Sequence, residues 1–185
     1  MKKVTCFRRA VGEWESFPDY DVLWCDPPWG EGMLKLFARM ARNAGHDPPA
    51  DNLHGVLSSL FRLASTKKPL FVEYSHRGTD VPMRIAEHFG HTLAGVTYGV
   101  QTNDKPFVVL NFNTGGYTVP DNARGWDAVK HMIATFRPGV VFDPFAGLGK
   151  TAEAVVRAGA TYIGSEMNPD RYRRLAEVAE RLNRE

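Results

Sequence analysis

Short apolar runs recur along this chain at Val4–Phe7, Val22–Cys25, 70–74, Leu93–Val100, 107–112, Val140–Asp143 and Thr161–Ser165, and each predicts a strand. Val22–Cys25 and 140–142 carry no polar interruption, the pattern of strands covered on both faces. Helical periodicity lies between most of these runs. Met33, Leu34, Phe37 and Met40 form one stripe, Leu53, Val56, Leu57, Leu60, Phe61 and Ala64 a second, and Val129, Met132, Ile133 and Phe136 a third. The C-terminal helix is the clearest: Asn168 suits its N-cap, Pro169 its first position and Asp170 its first turn, while Tyr172, Leu175, Ala179 and Leu182 share one face.

This alternation predicts an α/β domain with a mostly parallel sheet of about seven strands and helices on both faces. The short link Gln-Thr-Asn-Asp-Lys-Pro between 93–100 and 107–112 predicts a hairpin, hence an antiparallel edge. Residues 45–52 and 113–125 are dense in turn formers and read as loops. Neither is long enough to be a second domain, so residues 1–185 are read as one domain.

Composition narrows the class. The chain is 43% hydrophobic and 24% charged with a net charge of only +2, so any nucleic-acid contact should come from a local basic patch. Two cysteines, Cys6 and Cys25, lack a C-x-x-C spacing, which argues against a disulfide framework or structural zinc and fits a reducing compartment. No apolar run has transmembrane length, and no signal-peptide core follows the basic N-terminus, so a soluble cytoplasmic protein is expected. The six histidines are scattered, and no metal site is expected. Trp14, Trp24 and Trp126 read as packing residues, and Arg171, Arg173 and Arg174 as solvated charge or at most phosphate contacts.

Candidate chemistry begins at Asp26-Pro27-Pro28-Trp29, directly after a buried strand, where ligands bind in open parallel sheets. An aromatic exocyclic amine is a poor nucleophile because its lone pair is delocalised into the ring. Acceptors on its two N–H groups would draw it toward tetrahedral geometry, and the Asp26 carboxylate and the Pro27 carbonyl could supply them. Two prolines make a stiff platform, and Trp29 could stack on the base, a contact worth about 1–3 kcal/mol. A plain Asp-Pro-Pro turn beside a packed tryptophan is the alternative for this tetrapeptide alone.

A second constellation runs from Phe142 to Thr151. A strand ends at Asp143, a glycine loop follows, and a helix begins near Thr151. Gly147 and Gly149 let backbone approach a ligand closely, and the helix N-terminus offers free N–H groups to an anion. Glu166, at the end of the next strand, stands where dinucleotide folds grip a ribose diol. Gly149-Lys150-Thr151 also ends a phosphate-loop pattern, but the glycine that pattern needs is Pro144 here, whose fixed φ and missing N–H are wrong for a phosphate cradle.

The two motifs in this order, with Asp26–Trp29 preceding Asp143–Gly149, resemble the beta (circularly permuted) group of S-adenosylmethionine-dependent DNA amino-methyltransferases, the N6-adenine/N4-cytosine family. The stretch 16–29, the run Ile163-Gly164-Ser165-Glu166 and the final helix with Tyr172, Ala176 and Arg181 are similar as well. The resemblance implies a Rossmann-like methyltransferase fold. Asp26, Pro27, Pro28 and Trp29 would act on the target amine. Asp26, Asp143, Phe145, Gly147, Gly149, Thr151, Glu166 and Asn168 would hold S-adenosylmethionine, Glu166 through its ribose hydroxyls. The chain departs from the family in having Arg8, Arg9 and Ala10 after its first strand, where an acidic residue is common, and in Lys150 within the glycine loop, read as facing solvent.

The expected activity is methylation of adenine N6 in DNA. RNA adenine or DNA cytosine N4 methylation is the alternative, and a non-catalytic subunit keeping the fold is a second, against which the intact Asp26 stands. Without a separate target-recognition domain, little sequence specificity is expected unless a homodimer or a partner adds to it. Because the methylated amine sheds its proton readily, a pH profile flat through the neutral range is expected.

Overall fold

The structure is a computed structural model that describes residues 3–43, 45, 52–100, 105–124 and 126–185, so most of the 45–52 loop, the hairpin link 101–104 and Gly125 lie outside the described residues. The strands are β1 (Val4–Phe7), β2 (Val22–Cys25), β3 (Leu70–Ser75), β4 (Leu93–Val100), β5 (Pro106–Phe112), β6 (Ala123–Arg124), β7 (Val140–Asp143) and β8 (Thr161–Ser165). The helices are α1 (Glu31–Asn43), α2 (Leu53–Leu63), α3 (Asp80–His88), α4 (Asp127–Phe136), α5 (Lys150–Arg157) and α6 (Pro169–Arg184).

All strands join one sheet in the order β1-β8-β7-β2-β3-β5-β4-β6. The first five in that order run parallel, and the expected hairpin makes β4 and β5 antiparallel, with β5 also antiparallel to β3. Seven strands form the body of the sheet, and the two-residue β6 adds a short parallel edge on β4 that no apolar run announces.

Alternation along the strands sends side chains to two cores. Trp24, Phe71, Val109 and Val141 pack with Val129 and Met132 of α4, Val155 of α5 and Leu175 and Leu182 of α6. Leu23, Val72, Leu110 and Phe142 face the other way, onto Leu34 of α1, Leu57 and Phe61 of α2 and Ile85 of α3. Helices therefore cover both faces, which explains why β2 and β7 read as continuous apolar runs.

Three expectations need correction. Helix α3 has no counterpart in the sequence reading, because Pro82 and its nine-residue length hide the period, although Pro82 falls in the first turn where its missing N–H is harmless. The α1 stripe is rotated: Leu34 and Ala41 are buried, whereas Met33 and Met40 are 39% and 44% exposed. Trp126 is 37% exposed rather than a packing residue, while Trp14 and Trp24 are buried as expected.

The end of the sheet opposite the site is fixed by Asp21, whose Oδ2 accepts the N–H groups of Gly139 and Val140 at 2.7 and 2.9 Å just before β2 and β7 begin their pairing. Asp21→Ala is expected to destabilise the fold by about 1–2 kcal/mol. At this size that lowers Tm by about 2–4 °C per kcal/mol in a thermal melt. An unchanged melt would show that the two strands align without it.

Candidate functional site

Strand β7 continues through α5 to β8 on one side of it, while β2 continues through α1 and α2 to β3 on the other. The chain thus leaves these two adjacent parallel strands in opposite directions. That opens a crevice at their carboxyl ends, where open α/β sheets bind ligands. Asp26 follows β2 and Asp143 ends β7, so the two motifs lie side by side at this crevice.

Asp26 reaches solvent at the rim but is enclosed by protein on its other sides. Its Oδ1 accepts the indole N–H of Trp29 at 2.7 Å. Loss of hydration pushes its carboxyl up to about 6, against the indole hydrogen bond and the charge of Arg171, which pull it down. Pro27 is buried, and Pro28 and Trp29 are half-buried. Trp29 packs against both cores, at the seam between them.

Asp143 is buried and fully engaged. Its Oδ1 accepts the Phe145 N–H at 2.9 Å, its Oδ2 accepts the Tyr162 hydroxyl at 3.0 Å, and the Thr151 hydroxyl bonds to the same carboxylate. Burial still pushes it up to about 7, helped by the neighbouring Asp26 charge. The glycine loop therefore rests on Asp143 from beneath, and the hydroxyl of the buried Thr151 turns inward to it.

The loop's own N–H groups are mostly taken. Phe145 donates to Asp143, Ala146 to the Ser165 carbonyl at 2.9 Å, Gly147 to the Glu166 carboxylate and Gly149 to the Ala146 carbonyl at 3.0 Å. A phosphate cradle would need those groups free, so the phosphate-loop reading fails on geometry as well as on Pro144. Gly147 has φ 56°, and a Cβ there would meet nothing closer than the Phe145 carbonyl at 3.9 Å, so the loop leaves open space at that point. Gly149 differs: at φ 80°, a Cβ would lie 3.0 Å from Leu175 Cδ1, so glycine lets α6 pack close to the start of α5. Phe145 is half-buried against the second core, and Lys150 faces solvent.

Glu166 is buried at the end of β8. Oε1 accepts the Asn168 N–H at 2.8 Å, and the Gly147 and Met167 N–H groups also bond to the carboxylate. Burial raises its pKa despite these donors and the nearby Arg171 charge. Asn168 caps α6 as expected, its Oδ1 accepting from the N–H groups of Asp170 and Arg171.

Two contributors, Tyr162 and Phe7, escaped the sequence reading, and a third, Arg171, reads there as solvated charge or at most a phosphate contact. Tyr162 supports Asp143 through its hydroxyl. Phe7, 38% exposed at the end of β1, accepts the backbone N–H of Glu166 on its carbonyl. Arg171 is half-buried, with its guanidinium carbon 5.0 Å from the centre of the Phe37 ring. The exposed aromatic at a strand end was a usable signal for Phe7. Arg171 gives none, because its place depends on Phe37 in a distant helix.

Among the described residues, no three His, Cys, Asp or Glu side chains converge to hold a metal ion, and no helix is long and apolar enough to cross a membrane. No protein-family model and no curated protein sequence matches this chain. Solved structures do. TTHA0409 of Thermus thermophilus, a provisionally assigned DNA modification methylase, superposes with a TM-score of 0.65 at 16% identity, over 99% of this chain and 96% of that one. The complex of TTHA0409 with S-adenosyl-L-methionine gives 0.64 at 17%, over 99% and 95%. PvuII DNA methyltransferase, which is cytosine-N4-specific, gives 0.63 at 12%, over 98% and 93%. The chain thus has the fold of these proteins, the α/β fold expected from its strand and helix pattern and the Rossmann-like one that the family resemblance implies.

Proposed function

We propose that this chain transfers the methyl group of S-adenosylmethionine to an exocyclic amine, N6 of adenine in DNA. The observation that carries the reading is Asp26-Pro27-Pro28-Trp29 standing against the glycine loop across the crevice between β2 and β7. The methylases that share the fold, one of them solved with S-adenosyl-L-methionine, support it.

The crevice suits that cofactor. Asp26, Asp143 and Glu166 all have raised pKa values there, so the site gains by receiving a ligand of net positive charge. The open space at Gly147 leaves room for it beside Glu166. Gly147, Phe145 and Glu166 would line the cofactor, while Asp143, Gly149, Thr151 and Asn168 hold that surface in place from behind. The cofactor supplies an electrophilic methyl group on a sulfonium. Asp26 accepts one N–H of the target amine and the Pro27 carbonyl the other, which restores lone-pair character to nitrogen. The amine nitrogen then forms its bond to the methyl carbon as the carbon–sulfur bond breaks, its electron pair leaving with sulfur. The extra proton passes to water. Orientation and fixed acceptors lower the barrier. In a duplex the amine is hidden, so the base must leave the stack or the strand must be single.

A labelled-methyl assay on duplex DNA, single-stranded DNA and RNA in parallel, followed by nucleoside analysis, tests the reading. N6-methyladenine in DNA is expected. N4-methylcytosine would overturn the choice of base, label only in RNA the choice of polymer, and no transfer to any of them the activity. Sequencing the methylated DNA should show a short or degenerate context.

Glu166 gives a separate test. With three N–H groups already orienting it, its carboxylate is set to accept ribose hydroxyls, and charge-assisted bonds contribute about 1.5–3 kcal/mol. Glu166→Ala should weaken cofactor binding by about one to two decades in calorimetry. Unchanged affinity in a folded variant would remove Glu166 from the cofactor site.

A further inference from the structure

Arg171 is the charged group of this crevice that the reaction leaves unexplained. It lies in the first turn of α6, and its backbone N–H bonds to the Asn168 cap at 3.0 Å. Its guanidinium rests on the Phe37 ring of α1 at 5.0 Å, so it spans from the Glu166 side of the crevice to the helix that follows Asp26. Among the described residues, none accepts a hydrogen bond from that guanidinium or pairs with it within ion-pair distance, although α6 holds several arginine ion pairs further along. A half-buried arginine with five N–H donors and no acceptor is a site waiting for an anion.

We propose that Arg171 grips a backbone phosphate of the nucleic-acid strand that delivers the target base; this rests on the function proposed above. The charge balance of the crevice favours that anion. In the structure the Arg171 charge acts on both Asp26 and Glu166. A cationic cofactor seated against those carboxylates takes over that role and repels a second cation, which turns the guanidinium outward to the mouth. The anion that enters there with an adenine is its phosphodiester. The Phe37 ring supports the planar fork without neutralising it.

The test compares wild type with Arg171→Gln and Arg171→Lys, measuring binding to a single-stranded adenine-containing oligonucleotide across a salt series with cofactor present, and cofactor affinity separately. Arg171→Gln should weaken oligonucleotide binding by about five- to tenfold and lower the slope of log K against log salt by about 0.7, the share of one phosphate contact on a single strand. Arg171→Lys should retain the slope, and cofactor affinity should hold in both. An unchanged slope in Arg171→Gln overturns the phosphate contact while leaving the proposed reaction standing. A loss of cofactor affinity instead assigns Arg171 to the methionyl carboxylate and overturns it as well. Failure of the wild-type protein to bind the oligonucleotide defeats both the contact and the proposed substrate.

Discussion

Asp26→Ala should lower methyl transfer by about two to three decades or more, the scale of losing one preorganised electrostatic contact, while weakening cofactor affinity less than Glu166→Ala does. The asymmetry follows from placement. Asp26 follows the end of β2, whereas Glu166 and the glycine loop belong to β7, β8 and the turns after them. Single-turnover assays with calorimetry separate the two effects, and wild-type rates in Asp26→Ala would move the catalytic site elsewhere. The structure also changes the expected pH profile. With its carboxyl pushed up to about 6, Asp26 is protonated below that value and accepts from an amine only weakly, without its charge. Activity should rise with pH through about 6 or somewhat lower, since a bound cation pulls the pKa down, and be level above it. A profile flat from pH 5 to 8 would show that Asp26 acts without its charge.

The second large effect is on stability. Asp143→Ala leaves the Phe145 N–H and the buried Tyr162 and Thr151 hydroxyls without their acceptor, and should destabilise the fold by about 2–5 kcal/mol in urea unfolding. Asp143→Asn is the informative contrast. The folded-state pKa of Asp143 is raised to about 7 from an ordinary carboxylate value, so the folded state binds its proton more tightly than the unfolded chain does. The stability that this proton confers is complete below the ordinary carboxylate range and is lost as pH rises through about 7. Asparagine keeps an acceptor for Phe145 and removes the charge. Asp143→Asn should therefore match wild type in acid and exceed it above pH 7. A variant less stable than wild type at pH 8 would mean that the negative charge itself holds the loop.

The expectations that held were those carried by local pattern. β1, β2, β4, β7 and β8 occupy the residues that the apolar runs mark, because buried strands have little choice of residue. Asn168 and Pro169 announced α6 because capping is decided within four residues. The site divides in the same way. Asp26 and Glu166 were legible from their positions after strands, but the roles of their neighbours were not. Thr151 and Asp143 look like ligand contacts beside a glycine loop, and only the placement of Tyr162 on the adjoining strand shows that they bond inward. Arg171 sits in a run of arginines that reads as solvated charge or at most phosphate contacts. That no described residue accepts from its guanidinium becomes visible only when α1 brings Phe37 beneath it. Met33 and Met40 misled for a related reason: an apolar stripe marks a helix face without saying whether the protein itself covers it.

The hydrogen bond from the Trp29 indole to Asp26 bears on selectivity. An arriving base does not meet a bare carboxylate. It meets one whose Oδ1 already has a donor, so an amine that takes that oxygen exchanges one N–H for another. A base with an exocyclic amine completes that exchange without net loss. A base that presents only a carbonyl at that position cannot, and would leave a carboxylate in a poorly hydrated cleft facing an acceptor. For the function proposed above, the indole would work as an internal reference donor: thymine would be disfavoured by comparison with the protein's own side chain, before any methyl group is placed at risk.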